Sequence, residues 1–259
     1  MRWVADTLRT RSETFTFGVS GTTDSSADLS ALLSRTTALV LPMPAAKAGS
    51  VLLSENRTVP MQQVLSMLPN GAAIFGGLLP FFELPQHPVF DYGRDEAVLN
   101  ANAAITAEGA ILLALQALPV TLWNNACLVI GYGRIGKALA ARLKALGARV
   151  AVSARKEADL RAIAESGYIP VHTNRYEAGL SQYCCIFNTV PAPVFGAEEV
   201  EQTAPGCLLM DLASAPGGID SSACTQFARP WIHALSLPGK TAPATAGQII
   251  ADYILEHIY

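Results

Sequence analysis

Apolar and polar positions along this chain follow different rhythms in its two halves. From about residue 120 the rhythm is regular. Ala126-Cys127-Leu128-Val129-Ile130 is an unbroken apolar run of strand length, the pattern of a strand buried on both faces. Lys137 to Leu146 has helical spacing, with Gly147 placed to end it. Arg149 to Ser153 reads as a second strand and residues 157–166 as a helix stopped by Gly167. Further strands are predicted at Tyr183 to Asn188, Leu208 to Asp211 and Trp231 to Leu235. Strands alternating with helices predict an α/β fold with a doubly wound, Rossmann-type parallel sheet.

Residues 1–95 are less even. Short apolar runs predict strands near 38–41 and 72–75, broken by Leu41-Pro42-Met43-Pro44 and Gly76-Gly77-Leu78-Leu79-Pro80. Asp28 to Leu33 and Met61 to Leu68 read as helices packed on them, and Asn102 to Leu118 as one long helix closed by Pro119. The expected organisation is a smaller α/β substrate or partner domain over 1–98 and an interdomain helix over 99–119. A dinucleotide-binding domain follows over 120–240, and a final helix over 241–259 packs back across the domain boundary. Thr245 to Ile258 supplies the amphipathic pattern of that last helix.

Composition narrows the class. Of 259 residues, 51% are hydrophobic and 15% charged, as in an ordinary enzyme rather than a disordered chain. A net charge of −3 without a basic cluster argues against a nucleic-acid partner. The longest apolar stretches, such as Ala110 to Leu118, are shorter than the roughly 20 residues of a membrane span. No secretory leader is recognisable at the N-terminus, so a cytoplasmic protein is expected. The five cysteines form no C-x-x-C pair. Cys127, Cys184, Cys185 and Cys207 lie in or beside strand-like runs, and all five are expected to be reduced thiols, mostly buried. No metal-ligand spacing is present.

The chemistry begins at Gly131-Tyr132-Gly133-Arg134-Ile135-Gly136. A G-x-G-x-x-G motif alone is weak, but this one leaves a strand, opens a helix and is followed by a second strand at βαβ spacing. Gly131 allows the tight turn, Gly133 lets backbone approach a pyrophosphate, and Gly136 permits close helix–strand packing. The helix opening at Arg134 and Ile135 points free N–H groups at the phosphates. NAD enzymes commonly end the second strand with an acid for the ribose 2′-OH. Here the residues are Ser153-Ala154-Arg155-Lys156, with no acid before Glu157. A carboxylate would repel a 2′-phosphate, whereas Ser153, Arg155 and Lys156 would hold one, so NADP is expected over NAD.

Other candidates lie where the remaining strands end. Asn188-Thr189-Val190-Pro191 is placed to meet the nicotinamide ribose or carboxamide, and Ala213 lies in the segment after Asp211 where Pro216, Gly217 and Gly218 permit unusual torsions. His172 sits towards the adenosine half, and His233 reads as a core histidine within a strand. Glu108 on the long helix is a candidate base, or else a capping and pairing residue. Lys240, after the last strand, offers a positive charge from a loop.

Assembled, these segments resemble the A subunits of dipicolinate synthase, which make dipicolinic acid in spore-forming bacteria. The resemblance spans most of the chain from about residue 35. It rests on Arg94-Asp95-Glu96, Leu99-Asn100, Thr106-Ala107-Glu108-Gly109, the glycine loop, Ala154-Arg155-Lys156, and Phe187-Asn188-Thr189-Val190-Pro191. Asp211-Leu212-Ala213-Ser214, Pro216-Gly217-Gly218, Leu237-Pro238-Gly239 and Thr245-Ala246-Gly247-Gln248-Ile249 complete it. It implies an NADP-dependent oxidation of dihydrodipicolinate, or its hydrated precursor from the lysine pathway, to dipicolinate during sporulation, in the mother cell. It also implies a partner, the flavoprotein-like B subunit. A dicarboxylate substrate calls for cationic donors, which makes Arg94 and, more weakly, Lys240 candidates. Association into a homo-oligomer is left open.

Two departures stand out. The family's first strand and its turn have no counterpart, the chain starting within what reads as the first helix, Arg2 to Leu8. Ala244 stands where the family tends to place lysine, while Lys240 occupies an apolar position. Two other functions fit the residues: a dehydrogenase of similar fold acting on another small acid, and a non-catalytic NADP-binding subunit that regulates or docks its partner.

Overall fold

The computed structural model describes residues 1–16, 19, 22, 28–45, 50–54, 57–80, 84–173, 175, 176 and 179–258. In chain order the elements are α1 (Arg2–Leu8), α2 (Leu29–Leu33), β1 (Ala38–Val40), β2 (Ser50–Ser54), β3 (Arg57–Pro60), α3 (Met61–Ser66), β4 (Ala73–Gly76), β5 (Val89–Asp91) and α4 (Glu96–Ala117). Then come β6 (Ala126–Ile130), α5 (Arg134–Ala145), β7 (Arg149–Ala154), α6 (Glu157–Glu165), β8 (Ile169–His172), β9 (Cys185–Asn188) and α7 (Ala197–Gln202). The chain closes with β10 (Leu208–Asp211), α8 (Ser221–Gln226), β11 (Trp231–His233), α9 (Leu237–Thr241) and α10 (Pro243–His257).

These elements form two compact units. One comprises Met1–Ala101 with Pro243–Tyr259. Its three-stranded parallel sheet has the order β1-β4-β5, and β2 and β3 form a separate antiparallel pair. Apolar side chains from α1 (Val4, Leu8) and α10 (Ala251, Ile254) share a buried cluster with Phe75 of β4, whose ring stacks on Phe90. The helix predicted over the last residues therefore packs against the N-terminal helix. The hairpin of β2 and β3 and the strand β5 are additions to the expected elements.

The other unit, Asn102–Ala242, is built on a six-stranded sheet in the order β11-β10-β9-β6-β7-β8, every pairing parallel. This is the doubly wound arrangement predicted from the sequence. From β6 the chain moves outward through β7 to β8, then returns to β9 beside β6 and proceeds the other way. The reversal leaves a crevice beyond the carboxyl ends of β6 and β9, where ligands bind in such sheets. Every residue of β6, β9 and β10 is buried, which explains their unbroken apolar runs. One face of the sheet is covered by α5 and the α4 residues Ala107, Ala110, Ile111 and Ala114. The other is covered by Leu180, Phe195, Val200 and Cys224.

Among the described residues, α4 is the one helix long and apolar enough to cross a membrane. Its length exceeds the apolar run read from the sequence because it begins at Glu96. Its four core residues above, beside the exposed Glu108, are those of a helix packed on a sheet.

Candidate functional site

The carboxyl end of β6 turns sharply at Gly131, whose φ of +100° lies in the region that favours glycine. Its N–H donates to Ser153 O at 3.0 Å, tying the turn to β7. A Cβ here would sit 2.5 Å from Thr189 Oγ1, so the β9 loop closes directly over the turn. Gly136, in the first turn of α5, allows no side chain either, because its Cβ would lie 2.1 Å from Gly131 O. Gly133 differs. It precedes α5 without a side-chain cap, and a Cβ built there meets nothing within 4 Å. The first N–H groups of a helix have no intrahelical partner, and here the approach to them is open. Arg134 is exposed beside them, while Ile135 packs on the core of the sheet.

At the next strand the placement corrects one expectation. Ser153 is buried, its hydroxyl within 3.0 Å of Thr173 Oγ1, because β7 lies inside the sheet and is covered on both faces. It therefore presents no hydroxyl to a ribose. Arg155 and Lys156 follow immediately and are exposed, and among the described residues neither side chain forms a hydrogen bond or ion pair. The strand edge thus offers two cations and no carboxylate before Glu157. His172 turns Nδ1 to Thr173 O at 2.8 Å.

The β9 and β10 loops are held by a buried pair, Asn188 and Asp211. The sequence pattern sets Asn188 at the nicotinamide half, but the residue is fully buried. Its Nδ2 donates to Asp211 Oδ1 (2.8 Å) and Val190 O (3.0 Å), and its Oδ1 accepts from Val190 N (3.0 Å). The parallel register sets Asn188 directly beside Asp211. Thr189 spends its hydroxyl proton on Ile130 O at 2.8 Å. The side-chain donors of Asn188 and Thr189 thus shape the loop rather than point out of it. Pro191 is exposed at its tip and Val190 half-buried beneath.

Asp211, 1% exposed, has a role that its sequence context alone does not assign. Its Oδ1 also accepts from Ala213 N (3.0 Å), and its Oδ2 from Gly218 N (2.7 Å) and Ile219 N (3.0 Å). Ala213 is consequently buried with both backbone groups engaged, its carbonyl accepting from His233 Nε2 at 3.0 Å. One signal of this role is present in the sequence: a carboxylate closing an apolar strand just before a Pro-Gly-Gly turn.

The candidate acid–base residues have ordinary surroundings. Glu108 is 65% exposed and paired with Arg142 at 3.2 Å, the environment of a surface ion pair. Lys240 is exposed on α9, a short helix where the sequence predicts a loop. In the other unit, Arg94 follows β5 and is 54% exposed, its Nε donating to Asp91 Oδ2 at 3.1 Å. Asp91 also accepts from the backbone of Leu78, Leu79 and Gly93, which fixes the turn carrying Arg94. No group of three or more potential metal ligands occurs among the described residues.

Residues 127–203 match the family model described as NADP oxidoreductase coenzyme F420-dependent. The chain is 32% identical to the A subunit of dipicolinate synthase from Bacillus subtilis (strain 168) over 225 residues, 83% of this chain and 75% of the relative. The crystal structure of the corresponding Bacillus halodurans protein superposes with a TM-score of 0.82 at 27% identity, covering 99% of this chain and 93% of that one. The crystal structure of the Bacillus subtilis protein gives 0.83 at 27% identity, covering 99% and 92%. This chain is therefore an oxidoreductase of the dipicolinate synthase A type with an NAD(P)-binding fold. The chain belongs to the family of dipicolinate synthase A subunits.

Proposed function

We propose that this protein is the NADP-dependent subunit that oxidises dihydrodipicolinate, or its hydrated precursor, to dipicolinate, working with a B subunit. The observation that carries the cofactor half is the open approach at Gly133 combined with Arg155 and Lys156 at a strand edge free of acid. Family membership supports the substrate half. The reaction removes a hydride and a proton from a dihydropyridine dicarboxylate, and NADP supplies the hydride acceptor when bound.

The chain's own residues bind and orient. The α5 N-terminus and Gly133 would receive the pyrophosphate, and Arg155 with Lys156 the 2′-phosphate. Asn188 and Asp211 act behind the surface by holding the 189–191 and 212–219 loops in place. Such prearranged positioning is the protein's main contribution when a cofactor carries the chemistry.

Arg94 is proposed to bind a substrate carboxylate, since a guanidinium matches that group in a two-point contact. Arg94→Ala is expected to raise KM for the dicarboxylate by about tenfold or more, equivalent to ~1.4 kcal/mol, while leaving NADP affinity unchanged. Steady-state kinetics with direct NADP titration check both halves. An unchanged KM removes Arg94 from the substrate site.

The reaction itself is tested by supplying purified protein with dihydrodipicolinate and NADP, with and without the B subunit, and following NADPH and dipicolinate together. Equal appearance of the two is expected. Absence of dipicolinate under both conditions contradicts the assignment. NADP binding without turnover, combined with altered activity of the B subunit, would instead mark a regulatory protein.

A further inference from the structure

Away from the crevice, the opposite end of the same sheet carries two thiols that the proposed reaction does not use. Cys127, the second residue of β6, lies with its sulfur 3.9 Å from that of Cys184, which immediately precedes β9. The two strands are hydrogen-bonded neighbours, and Cys184 N donates to Ala126 O at 2.9 Å, which fixes the backbone on both sides of the pair. Cys127 is fully buried, whereas Cys184 is partly exposed and follows an exposed turn at Ser181 and Gln182. The other three cysteines, Cys185, Cys207 and Cys224, are buried.

We infer that Cys127 and Cys184 form an oxidative modification site that closes to a disulfide on exposure to a hydroperoxide. The asymmetry of the pair assigns the roles. Cys184 is the thiol an oxidant can reach, and its hydrogen bond with Cys127 holds its thiol below the ordinary range, favouring the nucleophilic thiolate. Burial pushes the competing thiols the other way, Cys207 up to about 12 and Cys224 up to about 11.

The chemistry balances with the peroxide as sole oxidant. The Cys184 thiolate attacks one peroxide oxygen; the O–O bond breaks, leaving Cys184 as sulfenic acid, and the departing alkoxide (hydroxide from hydrogen peroxide) takes from solvent the proton that the thiol gave up on ionising, leaving as alcohol or water. The Cys127 sulfur then attacks the Cys184 sulfur. The S–S bond forms as the S–O bond breaks, and the departing hydroxide takes the Cys127 proton as water. Two thiols are oxidised and one peroxide is reduced. The sulfurs must close from 3.9 Å to about 2.0 Å to form the bond.

The test is thiol titration of the denatured full chain after brief treatment with stoichiometric hydrogen peroxide, quenched by catalase. The wild type is expected to lose two of its five thiols and to recover both with dithiothreitol. Cys184→Ser is expected to keep its four thiols, losing them at least about tenfold more slowly. In Cys127→Ala the sulfenic acid has no partner, so a 1,3-diketone probe is expected to label Cys184, more slowly than the wild type loses its thiols because the hydrogen bond that favours the thiolate is gone. Retention of all five thiols by the wild type overturns the inference. Thiol loss at the wild-type rate in Cys184→Ser, or probe labelling at another cysteine, overturns it equally. None of these readouts depends on NADP binding or turnover.

Discussion

In urea unfolding, Gly136→Ala is expected to lose about 3 kcal/mol or more, whereas Gly133→Ala keeps wild-type stability to within about 0.5 kcal/mol. The two substitutions add the same methyl group three residues apart in the same turn. At Gly136 the new carbon would sit 2.1 Å from Gly131 O, a backbone atom held in turn by the 3.0 Å bond from Gly131 N to Ser153 O. Neither side can yield without opening the β6–α5 turn. At Gly133 the backbone is extended (φ −80°, ψ −168°), which any residue adopts, and the methyl meets nothing within 4 Å. The cost of Gly133→Ala therefore appears only when a ligand arrives. NADP affinity is expected to fall at least about tenfold, ~1.4 kcal/mol, with the fold intact. Circular dichroism melts beside NADP titration separate the two effects. Unaltered NADP affinity in Gly133→Ala would place the pyrophosphate elsewhere.

Asp211→Ala is expected to be still more damaging. It leaves four buried donors without their acceptor: Asn188 Nδ2 and the backbone N–H groups of Ala213, Gly218 and Ile219. An orphaned buried donor costs about 1–3 kcal/mol, against a total stability of roughly 5–15 kcal/mol. The sum takes a large share of that stability. Asp211→Asn is the more informative variant. Its oxygen still accepts from Asn188 and Ala213, but its NH₂ group faces the two N–H donors of Gly218 and Ile219, and about 2–4 kcal/mol is expected to be lost. Asp211→Glu is no rescue, since another methylene carries both carboxylate oxygens off the donors that Asp211 meets at 2.7–3.0 Å. Because the same carboxylate positions the loops after β9 and β10, NADP binding is expected to weaken in the Asn variant under conditions where it remains folded. Urea midpoints within about 0.5 kcal/mol of wild type for Asp211→Asn would show that the carboxylate is not holding those loops.

What the sequence discloses and what it conceals follow from the range of the interactions involved. The six-stranded sheet is legible because β6, β9 and β10 are buried on both faces and must be apolar throughout, and because the glycine loop is a local signal in a local βαβ context. For Asp211 the sequence carries one local signal, a carboxylate before a Pro-Gly-Gly turn, but its pairing is not legible, since that depends on parallel register with Asn188, a residue 23 positions earlier. The same register explains why Asn188 is a support. Ser153 reads as available because a serine near a strand end often is, yet its side chain is buried on a covered face of the sheet with its hydroxyl against Thr173 Oγ1. Leu237-Pro238-Gly239-Lys240 reads as a loop from its Pro-Gly pair, but Pro238 occupies the first turn of α9, where the missing N–H has no intrahelical partner to lose. At three residues, β5 is too short to show a period.

The central claim is that this crevice selects NADP. Arg155 and Lys156 would face a phosphate dianion, and no acid ends β7 to receive a free ribose hydroxyl. The most direct measurement is the Kd of wild type and Arg155→Ala for NADP and for NAD, by titration at one ionic strength. NADP is expected to bind wild type at least about tenfold more tightly than NAD, and Arg155→Ala to shrink that ratio by weakening NADP alone. Equal affinities in the wild type, with a ratio unmoved by Arg155→Ala, would contradict the account.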